Sequence, residues 1–152
     1  MIKFLCLDIG TTTIGIAKSD LLGFVFPKEN YRFERGNYQK AKQHIIEIIE
    51  ETSITSLVVG WPLQIDRNVG ERCESVKKFC DELLEIRPDL RIYYHDESYS
   101  TTEARYRLLE MGYKEAKINE VIDMYSAVVI LEDYLRYISK WVKKKLVQML
   151  SQ

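Results

Sequence analysis

The stretch LCLDIGTTTIGIA, residues 5–17, constrains the architecture more than any other. Two runs of apolar strand formers are separated by little more than the turn at Gly10 to Thr12, a connection too short for a crossover, so the two strands form an antiparallel hairpin. One carboxylate, Asp8, interrupts the first run near its end. An acid at the end of a buried strand is costly unless it meets a cation, a donor or a bound ligand. Asp8 is therefore the first candidate functional residue; the alternative is a turn cap that accepts from the Gly10 and Thr11 amides.

After the hairpin, GFVFPKENYRFER reads as a weaker third strand, broken by Pro27 and so expected near a sheet edge. The period then changes. Tyr38, Ala41, Ile45, Ile48 and Ile49 recur at helical spacing, and ITSLVVG follows as a short buried strand. Cys73, Val76, Cys80, Leu83 and Leu84 mark a second helix, which Pro88 closes before the strand LRIYYHDE. Ser100 and Glu103 have the spacing of a capping box, so a third helix starts there and stops near Gly112. A last long helix runs from about Ile118 to Ile138, with continuation or a bend into the basic tail as the alternative. The expected fold class is α/β, a mixed five-stranded sheet that begins as a three-strand meander and is flanked by helices. The expected domain division is residues 1–139 as one body and 140–152 as a basic amphipathic tail, with docking of that tail on the body as the default.

A chain of 152 residues can bury roughly 70% of its unfolded surface around one core. Its 22 basic and 23 acidic residues nearly balance, which excludes a polycation drawn indiscriminately to nucleic acid or membranes. The distribution is uneven: Arg136, Lys140, Lys143, Lys144 and Lys145 have no acid among or after them. Cys6, Cys73 and Cys80 are odd in number, lack a C-x-x-C spacing and sit in apolar segments, as reduced packing thiols do. No apolar run approaches the ~20 residues that cross a bilayer, and MIKFLCLDIG lacks a small-residue cleavage site. The expectation is a cytoplasmic protein with no membrane partner.

Acids recur where a structural role is hard to see. Asp8 ends the first strand, Asp96 and Glu97 end the last, and Asp123 shares a helical stripe with Ala127, Ile130 and Tyr134. Were the first and last strands neighbours in the middle of the sheet, with the helix across them, these acids would converge. Carboxylates gathered within about 5 Å persist best around a divalent cation. Oxygen-only ligands select Mg²⁺ or Mn²⁺, and two such ions can hydrolyse a phosphodiester.

Taken together, LDIGTTTIGIAKSD, LVVGWPLQIDR, HDESYSTTEARYRLLEMGY and VIDMYSAVVILEDYL resemble the YqgF/RuvX family over roughly residues 2 to 137. These are small bacterial proteins with an RNase H-like fold, to which Holliday-junction resolution and maturation of the 5′ end of pre-16S rRNA have been ascribed. The resemblance implies a Mg²⁺- or Mn²⁺-dependent nuclease of structured nucleic acid that processes pre-16S rRNA in ribosome biogenesis, with junction resolution as the alternative. The family's acids fall on Asp8, Glu97 and Asp123 as catalytic and metal-holding residues, with Asp96 in support. Three departures stand out: the family's usual basic residue in the first turn is Thr12, the arginine after its acidic pair is Ser98, and its G-L-P-L-N-M-D-G loop has Gln64 and Arg67. Each lost cation weakens phosphate affinity. Arg67, Arg105 and Lys143 to Lys145 are the candidates to compensate, and a non-catalytic nucleic-acid-binding module is the third reading. The opening motif also looks like the phosphate-binding hairpin of actin-like ATPases and sugar kinases, which need a second half that 152 residues do not supply.

Thr11 and Thr12 are candidate phosphate contacts through hydroxyls and turn amides, as are Ser100 and Thr101 at a helix start. His95 reads as an ordinary strand histidine rather than a proton shuttle, and Trp61 as a cover for the core's rim or a base-stacking ring. The residues leave monomer and dimer open.

Overall fold

The computed structural model describes residues 2–62 and 70–152. The elements run β1 (Phe4–Ile9), β2 (Thr13–Ser19), β3 (Val25–Arg32), α1 (Tyr38–Thr52), β4 (Ser56–Trp61), α2 (Glu71–Ile86), β5 (Arg91–Asp96), α3 (Ser100–Glu110) and α4 (Glu115–Leu150). Among the described residues they form one five-stranded sheet in the order β3-β2-β1-β4-β5. The two pairings of the meander, β1 with β2 and β2 with β3, are antiparallel, and β4 is parallel to both β1 and β5. This is the mixed sheet the sequence predicts.

Period-two alternation assigns the strand residues to two layers. Leu5, Leu7, Ile9, Ile16, Leu57 and Val59 face α1 and α2, where Ile45, Ile49, Val76, Phe79 and Leu83 complete the larger core. Phe4, Cys6, Ala17 and Val58 point the other way, onto Ala127, Ile130, Leu131 and Tyr134 of α4. Asp8 continues the Phe4, Cys6 series and so belongs to the α4 layer. Pro27 lies in β3, which is an edge as expected; the ladder breaks register between Ile16 and Ala17, opposite Glu29 and Pro27. All three cysteines are buried free thiols, and burial pushes Cys80 up to about 12.

Three expectations change. First, β1 is central but β5 is the opposite edge from β3, with β4 between β1 and β5, so the first and last strands are not neighbours. Parallel strands joined through single helices build outward one strand at a time, and β5 takes the free side of β4. Second, the capping box is not formed. Ser100 starts α3, but Tyr99 holds the cap position in a left-handed conformation, and the Ser100 hydroxyl donates to the Glu97 carbonyl at 2.7 Å. Third, α4 carries the tail outward instead of docking it on the body. It continues unbroken to Leu150, and residues 139 onward are exposed rather than docked.

Candidate active site

The row of residues beside Asp8 explains how the acids meet. Its antiparallel partner on β2 is Gly15. On the other side, Leu7 pairs with Val59, so Gly60 lies alongside Asp8. Asp8 is thus flanked by glycine on both neighbouring strands. A Cβ at Gly15 would stand 1.9 Å from the Asp123 carbonyl oxygen: the missing side chain is the space into which the α4 backbone descends. A Cβ at Gly60 would stand 2.3 Å from Glu97 Oε2. Glu97, just past the end of an edge strand, therefore reaches across β4 through the gap that Gly60 leaves.

The carboxyls of Asp8 and Glu97 are within hydrogen-bonding reach of each other. Burial pushes Asp8 well above the usual carboxylate range. The Glu97 charge, the hydrogen bond to Glu97 and the charge of Asp123 push the same way, while Arg72 opposes them. Glu97 is also raised, by burial first, against the hydrogen bond from Asp8 and the pull of Arg72. Without a cation, burial and mutual repulsion raise the proton affinity of both members of the pair. Asp123 is the third charge, its Oδ2 accepting from Thr13 Oγ1 at 2.6 Å. Among the described residues no set of three His, Cys, Asp or Glu is gathered tightly enough to hold a metal ion as it stands. The arrangement is a close pair with a third acid at longer range.

The donor set still fits a hard dication. It is all oxygen, and a bound cation would offset the charge repulsion between the buried pair. Mg²⁺ keeps several waters and is commonly bound through one or two carboxylates rather than by an all-protein cage.

The remaining candidates separate. The Asp96 carboxylate accepts from the Ser98 amide at 2.9 Å and hydroxyl at 2.6 Å, fixing the turn that follows β5. Thr11 and Thr12 lie in the β1–β2 turn, where Gly10 N–H donates to the Thr13 carbonyl (2.7 Å) and Phe33 N–H to that of Thr12 (2.9 Å). Thr101 accepts from the buried Ser126 hydroxyl at 3.4 Å, and the buried Ser100 hydroxyl is spent on Glu97. His95 pairs with Asp133 at 2.6 Å, packed by Tyr134 and Tyr137, as a strand histidine does. Trp61 packs against the larger core and edge-on to Tyr94, 4.9 Å between centroids, so it covers the rim.

Of the cations proposed to compensate, Arg67 lies, with the departure at Gln64, in the loop outside the described residues. Arg105 is paired with Glu115. Lys143 to Lys145 lie 20 to 22 residues beyond Asp123 on one unbroken helix, about 30 Å away at 1.5 Å per residue; they cannot serve this site. Among the described residues, the cation beside the acids is one that sequence reasoning missed. Arg72, in the first turn of α2, donates from Nη2 to the Ile9 carbonyl at 2.8 Å, one residue from Asp8. Sitting among Glu71, Cys73 and Glu74 it reads as helix surface; the only available signal was its place at the start of the helix that follows β4.

A family model described as RuvX, Holliday junction resolvase, matches residues 2–137. A protein of Staphylococcus carnosus (strain TM300) named "Putative pre-16S rRNA nuclease" is 34% identical over 134 residues, covering 88% of this chain and 94% of its own length. A protein of the same name from Staphylococcus aureus (strain JH9) matches equally, 34% over 134 residues with the same coverage. Among solved structures, T. thermophilus RuvC in complex with a Holliday junction substrate superposes with a TM-score of 0.57 at 11% identity, over 90% of this chain and 96% of that one. At that identity the likeness speaks to the fold alone, which is RNase H-like.

Proposed function

The chain belongs to the RuvX family, and from that premise and the geometry around Asp8 we propose that it is a divalent-cation-dependent nuclease that processes the 5′ end of pre-16S rRNA. What supports the reading is one observation: two glycines beside Asp8 admit Glu97 from one side and the Asp123 turn of α4 from the other. A sheet bears two such gaps in one row at a cost in packing, and the acids they admit raise one another's proton affinity. Such a cost is sensible where a cation is to be held.

Asp8 and Glu97 are the residues that would hold Mg²⁺ or Mn²⁺, with Asp123 joining from its place beside Thr13. When bound, the cation supplies Lewis-acid stabilisation of the phosphodiester and eases deprotonation of the attacking water. Asp8 and Glu97 would hold the cation as carboxylates and orient it toward the phosphodiester. Asp123 accepts a hydrogen bond from the water or from Thr13. The Arg72 guanidinium, anchored on the Ile9 carbonyl, offsets charge at the rim in place of the basic residues absent at Thr12 and Ser98. Thr11 and Thr12 offer turn amides and hydroxyls to the flanking phosphate. The names of the 34%-identical relatives favour precursor 16S RNA over branched DNA.

The test is incubation with Mg²⁺ and either a precursor 16S RNA fragment or a four-way DNA junction. Expected is cleavage of the RNA that EDTA abolishes and that Asp8→Asn reduces at least about a thousandfold. Cleavage unchanged in Asp8→Asn would overturn the mechanism; cleavage of the junction alone would reassign the substrate.

A further inference from the structure

Tyr99 is the residue of the site region that packing does not explain. It has φ +69° and ψ 0°, a left-handed conformation that a bulky side chain adopts only under constraint. Its side chain is 81% exposed, and among the described residues neither ring nor hydroxyl has a partner. The constraint is visible on both sides. Asp96 fixes the Ser98 amide and hydroxyl, the Ser100 amide and hydroxyl both close on the Glu97 carbonyl (3.0 and 2.7 Å), and Glu103 N–H donates to the Tyr99 carbonyl at 2.9 Å. The turn is over-determined, and its product is an aromatic ring held out in solvent two residues from Glu97, within about 7 Å along the chain. Strain that surrounding hydrogen bonds maintain, while the ring itself packs against nothing inside the protein, marks a side chain held for something outside it.

We propose that Tyr99 is a stacking platform for an unpaired nucleobase next to the phosphodiester at the Asp8–Glu97 pair, so that the site takes an unpaired strand in preference to continuous duplex. This rests on the nuclease reading and narrows its substrate. A base inside a duplex has both faces covered by its neighbours, whereas an unpaired base can be splayed onto an exposed ring, and such stacking is indifferent to base identity. The ring would hold a nucleotide while Arg72, with a cation held by the acids, would meet the adjoining phosphate. Specificity then comes from strand structure rather than sequence.

The experiment measures binding, with Ca²⁺ replacing Mg²⁺ to withhold cleavage, of a short single-stranded RNA carrying 2-aminopurine and of the same sequence fully paired. Wild type is expected to quench the 2-aminopurine on binding. Tyr99→Gly should lose the quenching and bind the single strand roughly ten-fold or more weakly, change duplex binding less than about two-fold, and melt a degree or more higher because glycine relieves the left-handed strain. Tyr99→Trp should restore affinity and quenching. Single-strand binding by Tyr99→Gly within about two-fold of wild type, an equal loss on both RNAs, or no binding of the single strand by wild type would each overturn the proposal. Should Tyr99-dependent binding be found with no cleavage of any RNA in Mg²⁺, the nuclease reading falls and the stacking role stands.

Discussion

The two ends of α4 carry similar amphipathic patterns and have different fates. From Ala127 to Ile138 the apolar residues lie on β1, β2 and β4, with Ala127, Ile130 and Leu131 essentially inaccessible. Beyond Ser139 the row continues as Val142, Leu146, Met149 and Leu150, all exposed. The helix is the same; what changes is the surface opposite. The sheet layer ends at Phe4 and Tyr93, and past that edge a groove lined by Ile2, Phe4, Tyr93, Ile138 and Val142 is all that remains. Helical periodicity thus records that a face is apolar, and only the length of the opposing strands decides how much of it is covered.

That contrast can be attacked first at its packed end. Gly15→Ala places a methyl against the α4 backbone at Asp123, which cannot yield without lifting the helix. The expected cost is about 3 kcal/mol or more, read as failure to fold or a melting temperature lowered by roughly 6 °C or more, and wild-type stability would show that α4 is not clamped there.

Asp8→Asn separates folding from function at the same end. It should abolish cleavage yet raise the stability of the metal-free protein at neutral pH by about 1–3 kcal/mol. Because the folded protein raises Asp8, its stabilising contribution is complete below the ordinary aspartate range and is lost as pH rises through the raised value. Metal-free wild type should therefore lose stability relative to Asp8→Asn as pH is raised from acid to neutral, and Mg²⁺ should restore it. Parallel curves, followed by thermal melts, would refute the buried acid pair.

Gly60→Ala sharpens the comparison more gently. Its methyl meets Glu97 Oε2 and, at 3.1 Å, the Ile130 side chain, both of which can move. About 1 kcal/mol of stability is expected to be lost, with Mg²⁺ affinity or cleavage falling 10- to 100-fold; calorimetric titration separates the two. The smallest effect belongs to the exposed end. A chain ending at Ser139 should melt within about 1 kcal/mol of the full chain and keep its cleavage rate. A large loss would mean that the tail is packed in solution.

The legible parts of this molecule were those with a period. The hairpin, the edge strand at Pro27, both helix-strand units and the apolar stripe of α4 around Asp123 follow from alternation, helical spacing and turn chemistry. Strand order was not legible in that way, because no local pattern says that β5 lies outside β4. The acids were visible as misfits, yet the route by which Glu97 reaches Asp8 depends on Gly60, a residue that reads only as the end of a strand. Ser100 and Glu103 show the limit of motif spacing: Glu97 and Asp96 claimed the neighbouring hydrogen bonds, and the cap moved to Tyr99. Arg72 and Tyr99 lacked any periodic signature, since a cation and an aromatic ring facing solvent are ordinary surface composition until the fold sets them beside an acid.

The two glycines beside Asp8 answer to different masters. One is demanded by the fold, since a helix backbone occupies its place; the other is demanded chiefly by an acid's side chain, which a dormant protein could discard, the Ile130 methyl beside it being able to shift. A lineage that abandoned its chemistry would be free to fill position 60 while still forbidden to fill position 15. Inherited variation at those two sites would then distinguish working descendants from retired ones that have kept the shape.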